Sequence, residues 1–310
     1  MNSHESRSLF GAKSSAMEVT DGIDLTGKVV VITGVNSGLG FETMRVLALR
    51  GAHVIGAARS FTKAKEACAQ VEGKTTPVAC ELSDLDSVSE CCRVINGMNL
   101  PIDIVICNAG IMALAELTVV NGFEKQFLCN HLGHFLLVYK LQQRLCEAEA
   151  ARIVMLSSEG HRLTNEGGID FDNLDGSNGY KSWDFYGQSK LANHLTAVAF
   201  DKHLKREGVR ANSVHPGVIN TNLARDVGGV IGFLLRFPGV NSLIDRFGGK
   251  TIPQGAATQC YVATHSSLEK TGGKYFSDCD CKKRPSRYAE DAQLAERLWL
   301  ESIALLRPWL

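Results

Sequence analysis

Four short runs along the chain are apolar at almost every position: KVVVIT (Lys28–Thr33), HVIGAA (His53–Ala58), DIVIC (Asp103–Cys107) and RIVMLS (Arg152–Ser157). Helix-length stretches separate them. Short strands alternating with helices predict βαβ units and a parallel sheet. Continuous rather than alternating hydrophobicity within each strand predicts a sheet covered on both faces. The expected class is therefore α/β, a single doubly wound parallel sheet flanked by helices. Composition and periodicity change near residue 22, so residues 1–22 are expected to form a polar tail and 23–310 one domain. No internal repeat or low-complexity linker interrupts that domain.

Composition narrows the function classes. A chain of 310 residues can bury a large core. Lys plus Arg and Asp plus Glu balance at 33 each, which leaves no net field to attract nucleic acid. The start, MNSHESRSLFGAKSSAMEVT, lacks the apolar core of a secretory signal. The most apolar run, VGGVIGFLLRFPGV, is short and carries Arg236, so no membrane span is expected and the expected location is cytoplasmic. The 10 cysteines are scattered without a C-x-x-C pair, and His131 and His134 lie in an apolar helical stretch. They predict reduced thiols and no metal site.

The first strand runs into T-G-V-N-S-G-L-G (Thr33–Gly40), followed by a helical pattern. Gly34 permits a tight turn, while Gly38 and Gly40 let backbone approach a pyrophosphate and let helix pack on sheet. Asn36, Ser37 and Leu39 fill the rest of that turn. A glycine turn alone has a purely structural alternative; the flanking strand and helix favour a dinucleotide site. Further on, Y-G-Q-S-K sets Tyr186 four residues before Lys190, on one helix face with Ser189 between. Alone, that spacing also fits an exposed helix face.

T-G-x-x-x-G-x-G, then Asn108-Ala109-Gly110 after a later strand, then Tyr-x-x-x-Lys occur here in an order that resembles the short-chain dehydrogenase/reductase family. The resemblance runs from about Gly27 to about Phe276. N-H-L-G-H-F (Asn130–Phe135), S-S-E-G-H (Ser157–His161), H-P-G (His215–Gly217) and Q-G-A-A-T (Gln254–Thr258) resemble its retinol dehydrogenase and WW-domain oxidoreductase branch, although no WW domain or membrane anchor is visible. The resemblance implies a Rossmann-type fold. It makes Tyr186 the acid/base, and Lys190 the group that lowers the phenol pKa and bonds the nicotinamide ribose. By the same match Ser158 polarises the substrate oxygen and Asn130 holds a water linking lysine to solvent. Plainer roles stand beside these: a strand-end serine satisfying a loop amide, and an asparagine bonding a neighbouring carbonyl.

For the cofactor, the resemblance adds Asn108, Ala109, Gly110, Pro216, Gly217, Ile219 and Thr221, the last two against the carboxamide. Glu81 and Leu82 flank the adenine, with Glu81 where the family usually has Asp. Where an NAD enzyme places an acid at the end of the second strand, this chain has Ala58 and Arg59. A guanidinium can clamp a 2′-phosphate, so NADP(H) is expected ahead of NAD; a solvated surface arginine is the alternative. Ser158 and Tyr186 stand 28 residues apart, and the turn-rich stretch between them resembles the branch's surface insertion. Trp183 at its end is read as packing ahead of substrate wall. Residues 222–253, apolar and glycine-rich, correspond to a substrate lid and suggest a lipophilic alcohol or carbonyl: retinoid, steroid or fatty aldehyde. The expected activity is NADP-dependent hydride transfer, with a weakly catalytic or non-catalytic scaffold as the alternative. Homodimer formation through the long helices and peripheral membrane contact are left open.

Overall fold

The computed structural model describes residues 9–219, 249–282 and 285–310. One sheet carries β1 (Val29–Thr33), β2 (His53–Ala58), β3 (Thr75–Ala79), β4 (Ile104–Cys107), β7 (Arg152–Leu156), β8 (Arg210–His215), β9 (Tyr275–Ser277) and β10 (Asp280–Cys281). A separate hairpin pairs β5 (Val119–Val120) with β6 (Phe123–Glu124). The sheet order is β3-β2-β1-β4-β7-β8-β9-β10, parallel throughout except for the antiparallel edge strand β10. The chain winds outward from β1 to β3, then returns to β1's other side at β4. That reversal opens a crevice past Thr33 and Cys107, where doubly wound sheets bind their ligands.

Helices cover both faces. α2 (Gly38–Leu49), α3 (Phe61–Cys68) and α8 (Ile252–Thr264) take one side. α4 (Leu85–Gly97), α6 (Gly133–Cys146), α7 (Ser182–Leu204) and α9 (Ala292–Leu306) take the other, with the single turn α5 (Lys125–Phe127) leading into α6. Sequence fixes several helix starts through side-chain caps: Asp84 on the amides of Asp86 and Ser87, Asp291 on those of Gln293 and Leu294, and a Thr251–Gln254 capping box. Val29 to Thr33 are all buried, as a strand covered on both faces requires.

α7 is buried along most of its length because α9 lies over it. Trp299 of α9 packs on Phe135 and Tyr139 of α6 and on Phe200 and His203 of α7. This part of the long-helix surface, considered above for pairing with a second copy, is taken up within one chain.

Residues 9–22 are not the polar tail expected. Ser15 and Glu18 form a capping box for a short helix, α1 (Ala16–Val19), whose Ala16 and Val19 are fully buried. Arg50 at the end of α2 donates to the Met17 carbonyl (2.9 Å) and to Thr20 Oγ1 (3.2 Å). Phe10 meets Tyr261 of α8 edge-on. The segment reads as polar because only every third or fourth residue faces the domain. Of the expected lid, residues 222–248 lie outside the described residues, and α8 begins at its end.

Candidate active site

Gly34 leaves β1 with φ +76° and packs on Ala109: a Cβ here would sit 3.0 Å from the Ala109 Cα. Gly40, one turn into α2, lies against the Gly34 carbonyl and the Asn108 amide with no room for any side chain. The first turn of β1–α2 and the loop after β4 are thus pressed together at the crevice. Ser37 precedes α2 but makes no side-chain cap, so the first amides of this 12-residue helix are not bonded by it. Gly38 follows with φ +59°. Small, uncapped and at a helix N-terminus, this turn fits a dinucleotide pyrophosphate.

A buried polar chain fixes the turn. His134 Nδ1 faces the Asn130 carbonyl at 2.9 Å, so Nδ1 carries the hydrogen and Nε2 accepts from Thr33 Oγ1 at 2.8 Å. Thr33 Oγ1 then accepts the amides of Asn108 and Ala109, each at 3.0 Å, and the Asn108 side chain donates to the Thr33 carbonyl. Burial holds His134 down at about 4, which keeps this tautomer neutral. Thr33 and His134 were not among the residues expected; the signal was His134 standing four residues after Asn130.

Tyr186 and Lys190 are both buried, on the first turns of α7. Lys190 Nζ lies 5.8 Å from the Tyr186 ring centroid and donates to the Leu156 carbonyl at the end of β7 (3.2 Å). Burial pulls Lys190 down to about 8. Burial also pushes the Tyr186 phenol up, and the Ser158 hydroxyl draws it partway back. Without a cofactor the phenol is therefore raised overall rather than lowered. Despite 27 intervening residues, Ser158 reaches Tyr186, because the insertion is tied down. Tyr180 donates to the Leu114 carbonyl (2.7 Å), Glu124 N–H donates to the Leu174 carbonyl (2.8 Å), and Asp170 N–H donates to the Gln188 side chain (2.8 Å).

Gly160, within the S-S-E-G-H run, also borders the site. A Cβ on it would lie 2.7 Å from Tyr186 Cε1, so its backbone comes close against the phenol ring. Ser158 Oγ accepts from the Gly160 amide (3.1 Å), the plainer role expected beside the catalytic one. Trp183 sits edge-on to Tyr186 with centroids 6.0 Å apart; it packs on the phenol while staying partly exposed.

Asn130 sits fully buried in a π-helical turn (Leu128–Leu132) leading into α6. Its amide donates to the Ile111 carbonyl and to Ser189 Oγ (both 2.9 Å), and its oxygen accepts the Ile111 amide (2.8 Å). Both amide hydrogens are therefore engaged within the protein, while the oxygen keeps a second lone pair. Ser189 passes the link on, donating to the Tyr186 carbonyl (2.8 Å). Gly110 is the close neighbour: a Cβ there would come within 3.1 Å of Asn130 Oδ1 and 3.3 Å of Lys190 Nζ.

Ile219 and Leu39 meet over Gly255 of α8, which ties the Pro216–Ile219 strip to the glycine turn. Arg59, exposed at the end of β2, has no ion-pair partner among the described residues. Glu81 closes its own turn, accepting from Ser83 Oγ (2.8 Å), and the Leu82 carbonyl rests against Gly133. Thr221 lies outside the described residues. Beside the Ser158 strip opens a polar cleft of about 360 Å³ lined in part by His161, Arg162, Glu166 and Arg287. Among the described residues no His, Cys, Asp and Glu cluster suits a metal, and no helix is long and apolar enough to cross a membrane.

A sequence model described as short chain dehydrogenase matches residues 28–171. The chloroplastic short-chain dehydrogenase TIC 32 B of Brassica napus is 42% identical over 97% of this chain and 95% of its own length. Retinol dehydrogenase 12 of Mus musculus is 40% identical over 93% and 89%, and the human WW domain-containing oxidoreductase 38% identical over 97% and 73%. Among solved structures, an uncharacterized protein from Mycobacterium paratuberculosis aligns at 32% identity with a TM-score of 0.73, covering 93% of this chain and 97% of that one.

Proposed function

The chain belongs to the short chain dehydrogenase family, and on that premise we propose that it is an NADP-dependent oxidoreductase acting on a lipophilic carbonyl or alcohol. The observation that carries this reading is a buried phenol, Tyr186, set between the Ser158 hydroxyl and Lys190 at the crevice where Gly110 borders Lys190.

The uncapped glycine turn Gly34–Gly40 would hold the pyrophosphate, and Arg59, unpaired beside β2, the 2′-phosphate. Asn108–Gly110, Lys190 and the Pro216–Ile219 strip would hold the nicotinamide half. When bound, the nicotinamide supplies or takes the hydride. Ser158 would hold the substrate oxygen while Tyr186 gives it a proton. A phenol raised by burial stays protonated at neutral pH, the form that carbonyl reduction uses. Oxidation of an alcohol needs the phenolate, which the positive charge of an oxidised ring would favour. Asn130 acts as a bracket in this reading, joining the Ile111 loop to Ser189 and so to Tyr186. The lipophilic class is supported by the retinol dehydrogenase relative rather than by the described cleft.

The test is NADPH oxidation over a panel of retinoid, steroid and fatty carbonyls, with wild type and Tyr186→Phe. Turnover should fall by a factor on the order of 10²–10⁴ in the variant, with NADPH binding retained. Undiminished turnover would place the proton donor elsewhere.

A further inference from the structure

The strip from Gly217 to Ile219 is fastened by an ion pair, buried on its lysine side and half-exposed on its acid side, that hydride transfer does not require. Lys250 Nζ meets Asp278 Oδ1 at 2.7 Å, with the lysine side chain only 8% exposed. Such a pair returns little net stability against its desolvation, and apolar replacements often serve as well. What it does here is positional. The lysine stem lies on Gly217, which has φ +96°; a Cβ on Gly217 would come within 2.7 Å of Lys250 Cδ. Lys250 also donates its amide to the Val218 carbonyl (2.8 Å) and pairs with Ile219 in a parallel bridge.

The acid's side is equally constrained. Asp278 and Cys279 both have φ +57°, a left-handed conformation that non-glycine residues hold only when their surroundings enforce it. The enforcing contacts are the Cys279 amide to Thr258 Oγ1 (3.2 Å) on α8 and the Lys282 amide to the Tyr275 carbonyl (2.9 Å) beside β9. The turn between β9 and β10 thus aims Asp278 at Lys250, and Lys250 reaches across Gly217 to it.

We propose that Lys250 and Asp278 are positioning residues that pin the Gly217–Ile219 backbone to the sheet edge, giving the nicotinamide half of the cofactor a fixed wall. The cofactor clause rests on the proposed function; the pinning does not. Lys250→Met keeps the stem and removes the charge, Asp278→Asn removes the acid with little change of shape, and Lys250→Arg keeps the pair. Hydrogen exchange of the cofactor-free protein reads the pin directly, and fluorescence titration with NADPH reads its consequence, both at a temperature where circular dichroism shows each variant folded.

Lys250→Met and Asp278→Asn should each speed exchange of the amide at position 250 by about two- to fivefold, the scale of one partly exposed ion pair, and weaken NADPH by a similar factor. Lys250→Arg should stay near wild type in both. Wild-type exchange and wild-type affinity in Lys250→Met and Asp278→Asn, even with a lowered melting temperature, would reduce the pair to a structural contact and overturn the proposal. If wild type binds no nicotinamide dinucleotide, the proposed function fails, and the exchange measurement still decides the pinning.

Discussion

Lys190 is an ammonium in a dry place, and its discharge sets a pH limit on the chemistry. Burial brings it to about 8, and the charged form is the one present below that value. kcat/KM reports the free enzyme, so for carbonyl reduction it should hold level at neutral pH and decline as pH rises through about 8. A profile level to about pH 9.5 would remove Lys190 from the acid/base unit. Lys190→Ala should be at least as harmful as Tyr186→Phe, and the double variant little worse than either, since the two act together. Arg59 is a separate matter of recognition. Arg59→Asp removes a cation and adds repulsion to a 2′-phosphate, so the preference for NADPH over NADH should invert, with NADPH affinity falling about tenfold or more, the scale of one charge-assisted bond. Equal affinity of wild type for both cofactors would refute the Arg59 assignment.

At the scale of elements, α1 is the clearest case of a segment that sequence pattern undervalues. Deleting residues 1–20 would strip Val19 and Ala16 from their seat on α2 and α8 and leave Arg50 without its Met17 and Thr20 acceptors. A fully buried valine contributes about 1.5–3 kcal/mol, so the truncated chain should lose about 2–4 kcal/mol. A urea midpoint equal to that of the full chain would mean that the helix does not stay docked. The elements that were legible are those in which pattern and environment agree. β2 spans His53–Ala58 as its apolar run does, and β1, β4 and β7 fall within one residue of theirs. β3 was hidden by Pro77, which an edge strand tolerates. β8 was hidden by Asn212 and Ser213, buried polar residues satisfied by Thr271 and His194 rather than by water. Among site residues, Tyr186, Lys190 and the glycine turn follow from local spacing. Thr33 and Gly160 enter through contacts across the chain, which no local spacing encodes, whereas His134 carried a local signal in its i+4 spacing from Asn130.

Across the whole molecule, the buried histidines make stability a function of pH. Burial holds His131 at about 3 and His134, His194 and His215 at about 4, against an ordinary value near 6.5. In the folded chain they stay neutral; in the unfolded chain they take up protons below about 6.5. Their contribution is therefore fully present above about 6.5 and is lost progressively as pH falls toward 4. Each such histidine gives up on the order of 3 kcal/mol over that interval. Four together match the whole stability of an ordinary domain, about 5–15 kcal/mol. Glu124 and Asp201, raised by burial, act in the opposite sense, but as two groups they do not offset four. Cooperative acid unfolding is expected near pH 5, before most exposed carboxylates titrate, with loss of the α6–α7–α9 core in which His131 bonds Ser302. Far-ultraviolet circular dichroism against pH, with urea midpoints at about pH 7.5, 6.5 and 5.5, measures it. The midpoint should change little between the first two values and drop steeply to the third. A midpoint that holds at the lowest pH would mean that these histidines accept protons in the folded state, and that the dry core around α7 admits charge.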